Sequence, residues 1–276
     1  MKRFMLLFSC IFAMLLFVFV GCKEDEESLP LDISVPSTLF PLTAGHVITY
    51  SGYLTAGESE TKIAGTETGY STTWTVNTLI PVTAVFPAGI FPNLVGETAV
   101  LVRDTTNVPA VSVTNKFTPV FIRQDSTSGD FSYLTNLGYF YRSASTKIWK
   151  STTDTTARAD SLRFVVLAKP SAGIGTKFTC FNEDFTSYAG GVSNPVTLNL
   201  KIEGVFEAKE TITVGSTDYE TYRLVISRTV SAGGVALSQG VTAKLWLANN
   251  VGPIQMFLAG NAEAPGNFRT MTSKSF

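Results

Sequence analysis

Between Thr197 and Val214 the side chains Leu198, Leu200, Ile202, Phe206, Ala208, Ile212 and Val214 fall at even positions. Thr197, Asn199, Lys201, Glu203, Glu207, Lys209, Thr211 and Thr213 fall at odd ones. A period of two kept up over this length puts apolar groups on every side of a helix but on a single face of a strand, so the segment predicts one long strand with one wet face. Gly204 interrupts the apolar face and predicts a bend or bulge. Gly215-Ser216 predicts a turn, after which Tyr222, Leu224, Ile226 and Val230 alternate within Tyr219–Val230 as the returning arm of a long antiparallel hairpin. The same period recurs from residue 39 onward, at Val47–Tyr53, Tyr70–Ile80, Thr98–Arg103, Phe117–Gln124, Phe131–Arg142, Lys147–Lys150, Leu162–Ala168 and Val241–Leu247, and Asn249-Asn250-Val251-Gly252-Pro253 breaks it. The expected class is all-β: antiparallel sheets forming a curved half-barrel or a sandwich, with 45% apolar residues in a 276-residue chain giving ample material for a core.

A short internal echo adds a second expectation. Pro41-Leu42-Thr43-Ala44-Gly45-His46-Val47-Ile48-Thr49-Tyr50 can be laid against Pro170-Ser171-Ala172-Gly173-Ile174-Gly175-Thr176-Lys177-Phe178-Thr179-Cys180 with one residue inserted. Lys147-Ile148-Trp149 and Lys244-Leu245-Trp246 follow at a distance. Either such matches arise by chance in Thr- and Gly-rich β-chains, or the body consists of two similar lobes, 39–155 and 161–276, sharing one sheet or core.

The N-terminus carries a different message. Met1 to Arg3 form a short positive region and Met5 to Val20 an apolar run of signal-peptide length, shorter than the ~20 residues preferred by a membrane-spanning helix. Phe19-Val20-Gly21-Cys22 ends that run with a small residue directly before a cysteine, and so resembles the lipobox of bacterial lipoproteins. That resemblance implies removal of residues 1–21, acylation of the Cys22 thiol and amine with fatty chains such as palmitate, and attachment to a membrane by lipid. Lys23-Glu24-Asp25-Glu26-Glu27 follows. As a charge run it reads as a solvated spacer. It also resembles the surface-export signal of lipoproteins in certain Gram-negative bacteria, which implies an outer-membrane protein exposed at the cell surface. Residues 22–38, with Pro30 and Pro36, read as a lipidated acidic tether leading to a globular body at 39–276.

Two further motifs belong to the body. Phe40-Pro41-Leu42-Thr43-Ala44-Gly45-His46-Val47-Ile48-Thr49-Tyr50 and Trp246-Leu247-Ala248-Asn249-Asn250-Val251-Gly252 are similar to the opening and closing motifs of a group of bacterial lipoproteins. In that group the first motif usually has an aromatic where this chain has Ile48. The resemblance implies antiparallel sheets curled around a core, distantly like the half-barrels of the lipoprotein-carrier family. It implies no reaction.

Chemistry is hard to place on this chain. His46 is its sole histidine, which removes most zinc sites and most histidine-based triads. Of the cysteines at 10, 22 and 180, the first lies in the leader and the second is the lipidation candidate, so Cys180 has no disulfide partner; between Phe178 and Phe181 it reads as a small buried hydrophobe. Ala172-Gly173-Ile174-Gly175 and Ala232-Gly233-Gly234 lack the continuation of a phosphate loop and read as turns, no Gly-x-Ser-x-Gly elbow occurs, and no cofactor is expected. The acids sit in turns or on wet faces: Glu58 and Glu60, Asp125 and Asp130, Glu183 and Asp184, Asp218 and Glu220. Glu183-Asp184, flanked by Phe181 and Phe185, is the pair to inspect for glycoside hydrolysis, which needs two carboxylates about 5–9.5 Å apart; the plainer reading is a polar loop whose phenylalanines cap the core. Formal charge is −1, and loss of Lys2 and Arg3 with the leader leaves −3, so no basic surface points to nucleic acid.

Aromatic clusters at Phe86–Phe91, Tyr139–Tyr141 and Tyr219 with Tyr222 read first as core. Tyr139 and Tyr141 share one strand face opposite Phe140 and are the candidate platform for a ligand. The sequence thus predicts a non-enzymatic, lipid-anchored outer-membrane protein that binds a glycan, lipid or protein at the cell surface. A periplasmic carrier of lipid or another hydrophobic ligand in half-barrel form is the alternative, and a carbohydrate-active enzyme the third reading.

Overall fold

The computed structural model describes residues 34–137, 162–187, 196–260 and 264–276. Twelve strands account for most of them: β1 (Val47–Thr55), β2 (Ser71–Pro81), β3 (Thr98–Val108), β4 (Val113–Gln124), β5 (Phe131–Asn136), β6 (Leu162–Ala168), β7 (Lys177–Ser187), β8 (Val196–Val214), β9 (Thr217–Ala232), β10 (Val235–Ala248), β11 (Gly252–Leu258) and β12 (Gly266–Ser275). Among the described residues there is no α-helix, only short 3₁₀ turns, and hence no helix long and apolar enough to cross a membrane.

All strands belong to one antiparallel sheet in the order β6-β5-β4-β3-β2-β1-β12-β11-β10-β9-β8-β7. It is therefore two six-strand meanders, β1–β6 and β7–β12, joined where the first strand pairs with the last, from Val47 opposite Ser275 to Thr55 opposite Gly266. The outer strands β6 and β7 approach each other, and Arg163 Nη1 meets Glu183 Oε2 across the gap at 2.7 Å, so the sheet curls into a nearly closed barrel. Of the two expected shapes, the chain takes the curled single sheet and not a sandwich. Pro41–Tyr50 and Pro170–Cys180, the two echo segments, occupy equivalent places as the lead-ins to β1 and β7.

One apolar cluster fills the barrel and draws on every strand, from Ile48 and Tyr50 of β1 through Phe206, Leu224 and Leu247 to Met256 and Met271. The predicted hairpin is present as β8 and β9, with Leu198, Leu200, Ile202 and Phe206 buried as expected. The bulge, however, lies at Glu207, where the register passes from Phe206↔Leu224 to Ala208↔Arg223. Beyond it the faces exchange: Lys209 now stands opposite Tyr222, and Ile212 packs in part against Trp246 on the outside of the sheet. Gly204 has another task. It stands opposite Phe178, and a methyl group there would lie 2.4 Å from the ring, so the absent side chain makes room for the phenyl group.

Three strands escape the sequence pattern for physical reasons. In β7 a register shift at Cys180 changes the phase, so that Phe178 before it and Phe181 and Phe185 after it all face the core; the Glu183-Asp184 segment read as a loop is part of this strand. In β11 both faces are buried, with Ile254 and Met256 in the barrel and Phe257 in an outer cluster, so no alternation survives. In β12 the inward position next to Met271 is an arginine, Arg269. The predicted strand over Phe131–Arg142 is described only as far as Leu137, and Lys147–Lys150 lies outside the described residues.

Candidate functional site

Because the strands form meanders, the connections alternate between two ends of the barrel. The start of β1, the end of β12 and the β2–β3, β4–β5, β6–β7, β8–β9 and β10–β11 connections share one end. The last residues of the predicted tether and the first of the body stop this end: Val35, Leu39 and Phe40 are buried, and the Phe40 ring stacks on Phe131 at 3.6 Å. The segment is held from two sides. Asn250 N–H donates to the Thr38 carbonyl (2.8 Å) and Thr38 Oγ1 bonds Asn249, while Gln124 Nε2 donates to the Ser37 carbonyl (2.6 Å). Beside this plug a small apolar recess is lined by Phe40, Ile48, Trp74, Val76, Ile122 and the C-terminal Phe276. His46 stacks on Phe276 with ring centroids 4.2 Å apart, a structural place for the lone histidine.

Deeper in the barrel the inner face carries charge. Arg269 Nη1 meets Asp104 Oδ2 at 2.6 Å, with side chains only 8% and 10% exposed, on the face that carries Met256 and Val102. Trp74 Nε1 donates to the same oxygen (3.0 Å), Thr106 Oγ1 donates to Asp104 Oδ1 (2.8 Å) and Arg269 Nε donates to the Tyr70 hydroxyl (3.1 Å). Burial works against the guanidinium's charge, but the Asp104 carboxylate and the Tyr70 hydroxyl more than offset it, and the Arg269 pKa is raised. Gly52 makes this packing feasible, since a side chain there would meet the Tyr70 ring and the backbone of β12. Further round the barrel, Arg228 lies opposite Ile202 on the inner face, donating to Glu58 (2.6 Å) and to Ser238 (2.8 Å).

The acids singled out in the sequence are largely occupied by structure. Glu58 pairs with Arg228, Glu60 with Lys244, Glu183 with Arg163 and Glu220 with Lys209. Asp218 accepts from Thr213 Oγ1, and Asp184 accepts from Asn199 Nδ2 at 2.8 Å. Asp125 accepts the N–H groups of Thr127 and Ser128, and these bonds hold its carboxyl below the usual range. As neighbours on a strand, Glu183 and Asp184 point to opposite faces, Glu183 opposite Leu200 and Asp184 opposite Asn199. They therefore cannot flank one scissile bond from a common cleft. Among the described residues no group of three His, Cys, Asp or Glu side chains could hold a metal ion. Burial, with a smaller push from Glu203, raises the Cys180 thiol pKa to about 12, so it stays protonated and inert.

The Phe86–Phe91 cluster has a definite role. The β2–β3 connection, residues 82–97, folds over the outer face of β3–β6, where Val82 and Leu94 join Ala99, Phe121, Leu134 and Leu162 in a second core. Phe86 packs on Phe91 and on Phe121, with centroids 5.7 and 5.8 Å apart, and Asn93 Nδ2 donates to the Leu162 carbonyl (2.8 Å). Arg123 lies 3.8 Å over the Phe164 ring and pairs with Glu97, locking the loop's end. Val85, Ile90 and Val95 remain exposed on the loop. This surface escaped the sequence reading, although a run without charge from Leu79 to Gly96 was its visible signal. Cys22, the Lys23–Glu27 run and the Tyr139 and Tyr141 platform lie outside the described residues.

No protein-family model matches the chain. No curated protein matches it either. Two crystal structures are similar over 86% of this chain and 98% of their own. One is a candidate lipoprotein from Parabacteroides distasonis, at 11% identity and a TM-score of 0.43. The other is a candidate exported protein with a YmcC-like fold from Bacteroides fragilis, at 12% identity and a TM-score of 0.41.

Proposed function

We propose that this chain is a lipid-anchored protein of the bacterial outer membrane, exposed at the cell surface, whose barrel binds a glycan, lipid or protein partner and catalyses no reaction. The observation that carries the reading is Gly21-Cys22 at the end of an apolar leader, followed at once by Lys23-Glu24-Asp25-Glu26-Glu27. Two or three acyl chains on Cys22, each buried CH₂ contributing about 0.8 kcal/mol, would hold the protein to a bilayer without any spanning helix. The non-enzymatic part rests on the acids, which serve as ion-pair and turn partners, and on the apolar surroundings of His46.

A carrier of hydrophobic ligands requires a cavity of about 300–1,000 Å³. Here Tyr50, Phe206, Leu200, Ile202, Leu224 and Leu247 are fully buried inside the barrel, which favours a body that binds on its surface over one that engulfs its ligand. The test is Cys22→Ser in the native host, grown with labelled palmitate and followed by fractionation and by protease treatment of intact cells. Loss of label with release from the membrane is expected for the variant, and digestion of the barrel on intact cells for the wild type. Equal membrane retention with no palmitate on either protein would overturn the anchor, and full protection of the wild type would overturn the surface assignment.

A further inference from the structure

We propose that the outer side of the β2–β3 loop, at Val85, Ile90 and Val95, lies on the bilayer to which Cys22 is anchored, so that the barrel rests on the membrane with its chain-entry end; this rests on the lipid-anchor reading. The loop is built for such a contact. Its inner side chains Val82, Phe86, Phe91 and Leu94 are committed to the second core, which fixes the backbone, while Ile90 and Val95 stand 59% and 62% exposed. A held loop that keeps several aliphatic groups in water marks a surface with an apolar partner. No charged residue occurs from Leu79 to Gly96, so the surface offers nothing for the ion pairs that select one protein over another, and it suits an interface where acyl chains begin.

Position selects the bilayer as that partner. The plug enters the barrel where Gln124 holds the Ser37 carbonyl, and the loop's Phe86 packs on Phe121 of the same strand. Three residues of strand separate the two contacts, about 10 Å. Eleven residues lie between Cys22 and Ser34, so the covalent reach from lipid to barrel is at most about 40 Å. The anchor therefore holds the loop at a high local concentration of lipid, and a contact too weak to recruit the protein alone becomes populated once the chain is tethered. Val235 and Leu237, also exposed, sit at the β9–β10 turn, at the opposite end, and serve as the control.

The test uses the acylated full-length protein in vesicles of phosphatidylethanolamine and phosphatidylglycerol with brominated acyl chains. An environment-sensitive fluorophore is attached at Ile90→Cys or, separately, at Leu237→Cys; both positions are exposed, whereas Cys180 is half-buried and its thiol is held protonated. The label at 90 should shift to the blue and lose roughly half its emission to bromine, whereas the label at 237 should report water. Cosedimentation with vesicles but no quenching at 90 would overturn the inference and leave the anchor standing. A protein that does not cosediment would overturn the anchor reading and this inference with it. Equal quenching at both positions would overturn the orientation, and a blue shift without quenching together with doubled mass in detergent would assign the surface to a second copy of the chain.

Discussion

Asp104→Asn isolates the contribution of one buried charge. The change keeps the shape, and the amide oxygen can still accept from Trp74 Nε1 and Arg269 where Asp104 Oδ2 now does, at 3.0 and 2.6 Å. On the other side the new amide group would meet Thr106 Oγ1, which can accept from it by donating instead to Thr72 Oγ1, 3.0 Å away. What is lost is the countercharge to a guanidinium only 8% exposed. Removing one partner of a buried pair costs about 3–5 kcal/mol, and the surviving hydrogen bonds place this case near 3. With a urea m-value of about 3 kcal/mol/M for a chain of this size, the midpoint should fall by about 1 M. The double variant Asp104→Leu, Arg269→Met removes both charges and should recover much of that loss, because the pair's attraction is largely offset by the desolvation of its members, with about 1–3 kcal/mol left for the acceptor that Trp74 Nε1 loses. Urea titrations of the wild type, Asp104→Asn, Asp104→Leu, Arg269→Met and the double, followed by tryptophan fluorescence, complete the cycle. A shift below about 0.2 M for Asp104→Asn, or a double variant as unstable as the single, would refute the claim that an unpaired inner charge is what the barrel cannot tolerate.

The close approaches of the sheet lead to sharper expectations. Gly52→Ala would place a methyl group 2.1 Å from the Phe268 carbonyl oxygen, on the backbone of the paired strand, so β1 and β12 must part. A loss of about 3 kcal/mol or more is expected in thermal melts. Gly204→Ala meets only the tip of the Phe178 ring, so a smaller loss of about 1–3 kcal/mol should result, with partial recovery in Gly204→Ala, Phe178→Leu. Cys180 should resist iodoacetamide at pH 8 in the folded protein and react once urea unfolds it. Because its folded pKa is raised from 9.0 to about 12, the unfolded chain ionises first, and stability should fall as pH rises through that window. Tyr50, whose pKa burial also raises, acts in the same direction, so Cys180→Ala should lessen the slope and leave a remainder.

Where one face of a strand met the core and the other met water, as in Thr197–Phe206, alternation alone located the strand. It failed where the inside of the barrel is polar or the outside apolar. Arg269 facing the core and Phe268 facing out invert the pattern of β12, and the outer cluster around Trp246 and Phe257 removes it from β11. Bulges did the same to β7 and to the far half of β8, each moving the apolar set to the other face. Only the first part of the plug, Val35 to Thr38, falls in the predicted tether, because it lies among prolines and serines and is held through contacts distant in sequence, with Gln124, Asn249 and Asn250. For the candidate site, local sequence carried the lipidation signal at Cys22, whereas the loop surface became visible only once its inner half was seen packed against β3–β6.

The way the sheet closes bears on how such a chain could be exported. β1 hydrogen-bonds β2 on one side and β12 on the other, so the first strand lacks a partner until the last has been delivered. The Asp104–Arg269 pair has the same requirement, since its acid belongs to β3 and its base to β12. Until then the β1–β6 meander has two open edges and an inner face carrying an unpaired aspartate, Trp74 Nε1 and two threonines, a face that gains little by collapsing alone. The ladder between β1 and β12 joins the segments farthest apart in sequence, so it forms after the local hairpins of the two meanders. On the reading proposed above, in which residues 1–21 direct export, the barrel cannot close before Gly266–Ser275 has been made, so a chain that enters the membrane ahead of that point passes without its closing ladder.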